Sequence, residues 1–293
     1  MFSVMKNQRL RTLFAVALAA LGCAPVAGFA QSILLSASDF ALLANSTITN
    51  TGPTDVLNGN VGLSPGTAVV GFPPGTVTGG SVIIGGASAQ AELDLITLAS
   101  ALGNMTPTED LTGTDLGNLT LLPGVYKFDS SAALDGTLTL NANGENGAFW
   151  VFQIGTTLGT SLITSASSNV TIINLGSNGG SDDGIFWDAG TAITFGPGSQ
   201  ILGNYLAGSA ITSEDGTTGD GRALAQTAIT LDDSTINSQG GPDGSDYSGG
   251  LMYAENGTIV PIVVPEPAAS LWLAPLCAIG VVLWWGPGRR RQR

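Results

Sequence analysis

The groups in this chain that could do chemistry are hydroxyls and carboxylates; its 293 residues include no His. Thr191-Ala192-Ile193-Thr194 returns as Ser209-Ala210-Ile211-Thr212 and again as Thr227-Ala228-Ile229-Thr230, each copy 18 residues after the last. A second line keeps the same step, with Gly203-Asn204-Tyr205-Leu206-Ala207 answered by Gly221-Arg222-Ala223-Leu224-Ala225. A hydroxyl repeated at fixed period is suited to presenting an ordered surface rather than to transferring a proton. The carboxylates offer less. Asp182-Asp183 and Asp232-Asp233 are adjacent, and neighbours in a strand point to opposite faces, so neither is expected to act as a paired acid and base. No catalytic residues are assigned, and the chain is expected not to be an enzyme. Gly240-Gly241-Pro242-Asp243-Gly244-Ser245-Asp246 has oxygen donors suited to Ca²⁺ but lacks a full loop motif, so a solvated turn is the better reading. Neither a metal nor a cofactor is expected.

Fixed-period self-similarity of this length marks stacked supersecondary units, and β-branched residues between Gly, Ser and Asp point to strands. The 18-residue step is read as one coil of a parallel β-solenoid, with equivalent residues about 4.8 Å apart on successive coils. Side chains alternate along a strand, so if Ile193, Ile211 and Ile229 fill the interior, Ala192, Thr194 and their equivalents face outward as a flat ladder. Ser46-Thr47-Ile48-Thr49 has the same pattern and is expected to add a strand to that face. Thr164 precedes Thr194 by 30 residues, one coil plus an insertion that Ser177 to Gly184 would supply at a corner. Ser161 to Thr164 is expected to interrupt the flatness by placing Leu162 where Ala stands elsewhere.

One segment breaks the strand pattern. From Ala87 to Leu102 there is no Gly or Pro, and Ala91, Leu95, Leu98 and Leu102 recur at helical spacing. This predicts one amphipathic helix over about 87–102, stopped by Gly103-Asn104, with its apolar stripe along the solenoid. Residues 105–118 are expected to form a cap or loop, Leu119 to Ile236 the coils proper, and 237–263 a closing cap and tether. Trp150 and Trp187 are assigned to the core or to helix packing, and Arg222 to a structural ion pair.

The two ends read differently. Residues 1–30, with Lys6, Arg9 and Arg11 before the apolar run Leu13 to Leu21, read as a secretory signal peptide ending at Ala30. At the other end Pro265-Glu266-Pro267 precedes apolar Ala268 to Trp285 and a basic tail containing Arg289, Arg290, Arg291 and Arg293. Residues 268–285 are long enough to cross a membrane, with the arginines on the cytoplasmic side. The order of Pro-Glu-Pro, apolar segment and basic tail resembles the PEP-CTERM sorting signal of Gram-negative bacteria. That resemblance implies an exosortase-type processing protease as a partner and membrane contact only through this segment. Between the ends, 21 carboxylates face only Lys127 and Arg222. Such a body has no basic face for nucleic acid. Cys23 and Cys277 both fall in the ends, so no disulfide is expected in the body.

Phe40-Ala41-Leu42-Leu43-Ala44, Ser46 to Gly52, Gly59-Asn60-Val61-Gly62-Leu63-Ser64-Pro65-Gly66, Leu122-Pro123-Gly124-Val125-Tyr126 and Gly221 to Ala225 together resemble the microbial ice-binding protein family, over about 33–237. The resemblance implies an all-β fold: a right-handed, three-faced, discontinuous parallel β-solenoid (β-helix) with one long helix alongside. It also implies an ice crystal surface as partner, met through a loose Thr-Ala/Gly-x-Thr/Asn pattern. The residues that match or extend it are Thr47, Thr49, Thr164, Thr191, Ala192, Thr194, Ser209, Ala210, Thr212, Thr227, Ala228 and Thr230. The spacing supports this reading independently, since hydroxyls about 4.8 Å apart between coils and about 6.6 to 7 Å apart along a strand lie near repeats of an ice lattice. An exported protein that restrains ice growth or recrystallisation is therefore expected. The alternative is a cell-surface adhesin in which the same stiff solenoid binds exopolysaccharide or spaces the envelope.

Overall fold

The computed structural model describes residues 32–155, 159–241 and 244–262. The secretory signal, the Pro265-Glu266-Pro267 motif and the apolar segment 268–285 lie outside them. Among the described residues no helix is long and apolar enough to cross a membrane.

Short parallel strands wind into a three-faced solenoid. One face is a seven-stranded sheet in the spatial order Ala132–Leu134, Ser161–Thr164, Ala192–Phe195, Ala210–Ser213, Ala228–Leu231, Thr47–Asn50, Ala68–Val70. A 15-stranded sheet forms the other two faces. It is continuous because Gln200–Ala207 and Thr218–Ala225 each bend across a corner without breaking. Gly203 and Gly221 make that bend possible. Both hold positive φ, and a Cβ on Gly221 would lie 1.9 Å from the Gly203 carbonyl oxygen.

The spatial order differs from chain order in a way that explains the helix. The chain builds its first coils at residues 40–84, at one end of the stack. It then runs as helix α1 (Ala87–Gly103) along the solenoid, roughly 25 Å at about 1.5 Å per residue. Past residue 105 it starts the remaining coils at the opposite end. These advance until Ala228–Leu231 docks beside Thr47–Asn50 and Thr235–Asn237 beside Asp55–Leu57. The fold is thus closed by strand pairs about 180 residues apart in sequence.

Helix α1 covers the face formed by Gly124–Phe128, Phe149–Ile154, Gly184–Ala189 and the C-terminal halves of the two bent strands. Its buried stripe of Ala91, Leu95, Leu98 and Leu102 joins one cluster with Val125, Val151, Phe186, Leu206, Leu224, Leu43 and Phe40. Burying each of the three leucines contributes on the order of 1.5–3 kcal/mol. Ser36 anchors the helix by donating from its backbone nitrogen and hydroxyl to Asp94. At the other end Gln153 donates to the carbonyls of Leu102 and Met105 at 2.7 and 2.9 Å. Inside the solenoid Tyr126, Phe152, Trp187 and Tyr205 stack on successive coils, with Phe152 and Trp187 3.9 Å apart and nearly parallel. Trp150 is also interior and donates to the Leu121 carbonyl.

Candidate functional site

The seven-stranded face carries two outward columns. In one, Ser161, Ala192, Ala210, Ala228, Thr47 and Ala68 lie in register. In the other, Ala133, Ile163, Thr194, Thr212, Thr230, Thr49 and Val70 do. Between them runs the interior column Ala132, Leu162, Ile193, Ile211, Ile229, Ile48 and Val69. Of these, Ile48, Ile193, Ile211 and Ile229 are at most 1% exposed. The expected division of inside from outside therefore holds for these four coils. Four threonines stand on four adjacent strands beside four small residues, and no outward position in the register is charged.

Thr164 does not belong to this set. Ile163 aligns with Thr194 and Leu162 with Ile193, which puts Thr164 in the interior beside Phe195, where it is buried. Its hydroxyl lies 3.0 Å from the Ser199 hydroxyl and accepts from the Gly196 nitrogen at 2.9 Å. The step between equivalent residues is 31 rather than 30, and one residue of slip exchanges the two faces of a strand. The expectation that Leu162 interrupts the plane is thereby corrected: Leu162 points inward, and Ile163, 53% exposed, is the bulky residue on the outer side. Thr191, Ser209 and Thr227 are also displaced. Each stands in the bend before its strand and so borders the plane. Their backbones continue the ladder, Ser209 donating to Thr191 and Thr227 to Ser209. Sequence reasoning missed Ala133, Ala68 and Val70 because their strands lack the repeated tetrapeptide, and Ser161 and Ile163 because that copy pairs one residue off the tetrapeptide alignment.

The other uncovered face also has a threonine column, Thr120, Thr139 and Thr171. It is shorter, and further along that face outward Asp220 aligns with Leu202 and with Asn237, while outward Asp55 aligns with Thr235 and Thr76. Charge distinguishes the two faces.

Several of the carboxylates hold the fold together. Asp182 and Asp183 lie in a turn rather than in a strand, and accept from the backbone nitrogens of Gly147 and Ala148. Burial pushes Asp183 up to about 6. Asp232 and Asp233 also occupy a turn. Arg222 is 3% exposed and makes five hydrogen bonds: two to the Ser38 carbonyl, one to Asn204, and two to the carbonyl and carboxylate of Asp246. Burial alone would raise Asp246, but the Arg222 guanidinium and the Ser248 bonds outweigh it and hold the carboxyl below its usual value. This clasp ties the N-terminal turn and the segment after residue 238 to one coil. Beside α1 a groove of about 360 Å³ holds Asp188, pushed up to about 7 by burial, with no other titratable side chain lining it. Among the described residues no three carboxylates or cysteines come together to hold a metal ion.

Residues 42–237 match the family model described as ice-binding-like. An ice-binding protein of Nostoc sp. (strain HG1) is 43% identical over 176 residues, which is 60% of this chain and 62% of the Nostoc protein. Ice-binding protein K3-B1 of Typhula ishikariensis is 30% identical over 67% of this chain and 85% of its own length. The crystal structure of an ice-binding protein from the Antarctic ascomycete Antarctomyces psychrotrophicus superposes with a TM-score of 0.64 at 38% identity, covering 70% of this chain and 96% of that one. The Shewanella frigidimarina ice-binding protein 1 domain gives a TM-score of 0.61 at 26% identity, covering 70% and 95%. With the match spanning the solenoid from its first coil to its last, the chain belongs to the ice-binding-like family.

Proposed function

We propose that this chain binds ice through its seven-stranded face and restrains the growth or recrystallisation of ice crystals. The observation that carries the reading is the column Thr194, Thr212, Thr230 and Thr49 on four adjacent strands, beside Ala192, Ala210, Ala228 and Thr47. Strands about 4.8 Å apart repeat a hydroxyl and a methyl at that interval, and alternate residues along each strand supply a second repeat of about 6.8 Å. Apolar groups hold neighbouring water in ordered arrangements, while hydroxyls join it. The ladder is rigid on both sides of each strand, so little conformational freedom is lost on adsorption. A charged group in the plane would keep its own hydration; none is there.

Export through residues 1–30 and sorting through Pro265-Glu266-Pro267 are part of the same proposal, which puts the solenoid outside the inner membrane. Recrystallisation in a sucrose or saline slurry tests the activity directly. Purified chain is expected to hold grain size constant at micromolar concentration. Grains that coarsen as in buffer, together with exclusion of the protein from a growing ice hemisphere, would replace the proposal with the adhesin reading.

A further inference from the structure

We propose that two copies of this chain associate end to end, through the coil formed by residues 64–84. The strands Ala68–Val70, Thr76–Thr78 and Val82–Ile84 are each paired on one side only among the described residues. Their unpaired edges form one end of the solenoid. The interior columns emerge there. Val69 continues the column of Ile48, Val77 that of Val56, and Val82 and Ile84 those of Val61 and Leu63. The inner members of these pairs are fully buried, whereas Val82 is 44% and Ile84 50% exposed. The core is therefore partly open at this end: Val69, Phe72 and Val77 pack against it, while Val82 and Ile84 leave its remaining edge uncovered.

The opposite end is treated differently. Residues 105–118 close it, with Leu111 and Leu116 buried over the last coil and Glu109, Asp110 and Asp115 around them. A solenoid needs a polar terminal unit at each end, and charged side chains are the usual guard on an open strand edge. This end has neither. From Val56 to Ala91 there is no charged residue, in a body that otherwise carries 21 carboxylates.

A second copy fits this end best. Two strongly acidic bodies repel over most of their surfaces, and the uncharged coil is where they approach without that penalty. The same end on a partner offers three unpaired strands and an equal apolar cross-section, which defines a closed two-fold contact. The chain's own last described element, the antiparallel hairpin of Leu251–Tyr253 and Ile259–Pro261, does not reach it. Ile262 donates to the Gly250 carbonyl beside Phe149, roughly six strand spacings, or about 29 Å, from Val82–Ile84.

Sedimentation velocity of the purified full chain from about 1 to about 100 µM tests the pairing, because mass action makes it concentration-dependent. The apparent mass is expected to double across that range and then stop rising, since the opposite end is capped. The double variant Val82→Lys, Ile84→Lys is expected to sediment at the monomer mass at every concentration. A second variant, Thr78→Lys, charges the same edge without touching the core and is expected to do the same. Hydrogen exchange should show amides of residues 68–84 protected only at high concentration. A monomer at every concentration would overturn the proposal, whether those amides exchange freely or are protected by the chain itself. So would pairing that survives both variants, or growth beyond the dimer.

Discussion

Replacing Ile211 by Ala separates the two sides of the strand that carries the central threonine. Ile211 is 1% exposed and lies between Ile193 and Ile229 on the neighbouring coils. Truncation removes buried carbons and leaves a void beneath the ladder. Hydrogen-bonded strands on both sides fix the coil spacing, so the walls cannot close on that void. The cost is therefore expected in the upper part of the usual range of about 2–5 kcal/mol. Thr212→Ser, one residue later on the outer side, removes a single half-exposed methyl and is expected to cost under about 1 kcal/mol. Reversible urea unfolding read by circular dichroism gives both values, with m unchanged if the native state stays compact. The comparison holds backbone and neighbourhood nearly constant. Equal destabilisation would mean that inside and outside are wrongly divided, and the proposed ice face would fall with that division.

Ile163→Thr extends the threonine column from four strands to five at small cost to the core, because Ile163 is exposed; a recrystallisation endpoint at lower concentration than wild type is expected, and an unchanged one would show that this coil lies outside the contact. Glu92 is buried on α1 with both carboxylate oxygens unpaired, and burial pushes it up to about 8 from an ordinary 4.5. The unfolded chain thus ionises first as pH rises, so stability falls between about pH 4.5 and 8 and levels off above, by up to a few kcal/mol. Glu92→Gln should flatten that slope, and parallel stability–pH curves would refute the assignment. Arg222→Lys keeps the charge but cannot reach Ser38, Asn204 and Asp246 together; it is expected to cost about 2–4 kcal/mol and to expose residues 238–250 to limited proteolysis, and an unchanged digestion pattern would show that the clasp does not hold that segment.

Much of this architecture was legible because its signals are local. The 18-residue step, the alternation at Ile193, Ile211 and Ile229, and the unbroken 3.6-residue stripe of α1 each sit within one coil or one helix. The order of the coils was not. Nothing local says that Ala228–Leu231 pairs with Thr47–Asn50, since that contact joins distant parts of the chain. The inward and outward positions of the strands were legible where Ala-Ile-Thr repeats, but not at Thr164, where the coil is lengthened by the turn at residues 174–183. Periodicity counts residues, and a lengthened coil hides one. Ile163 gave no signal because an isoleucine on a strand reads as interior by default, and only the register reveals that it faces out.

The central claim, that the four-threonine face is the ice-contacting one, is tested most directly by placing the same bulky side chain on each of the two uncovered faces. Thr212→Tyr puts a ring in the middle of the four-threonine column, and Thr139→Tyr puts it in the three-threonine column of the other face. Both positions point outward, so both variants are expected to fold, as circular dichroism and urea midpoints will report. In a recrystallisation assay the account predicts that Thr212→Tyr loses most activity while Thr139→Tyr keeps it. Full activity in folded Thr212→Tyr, or loss in Thr139→Tyr alone, would contradict it.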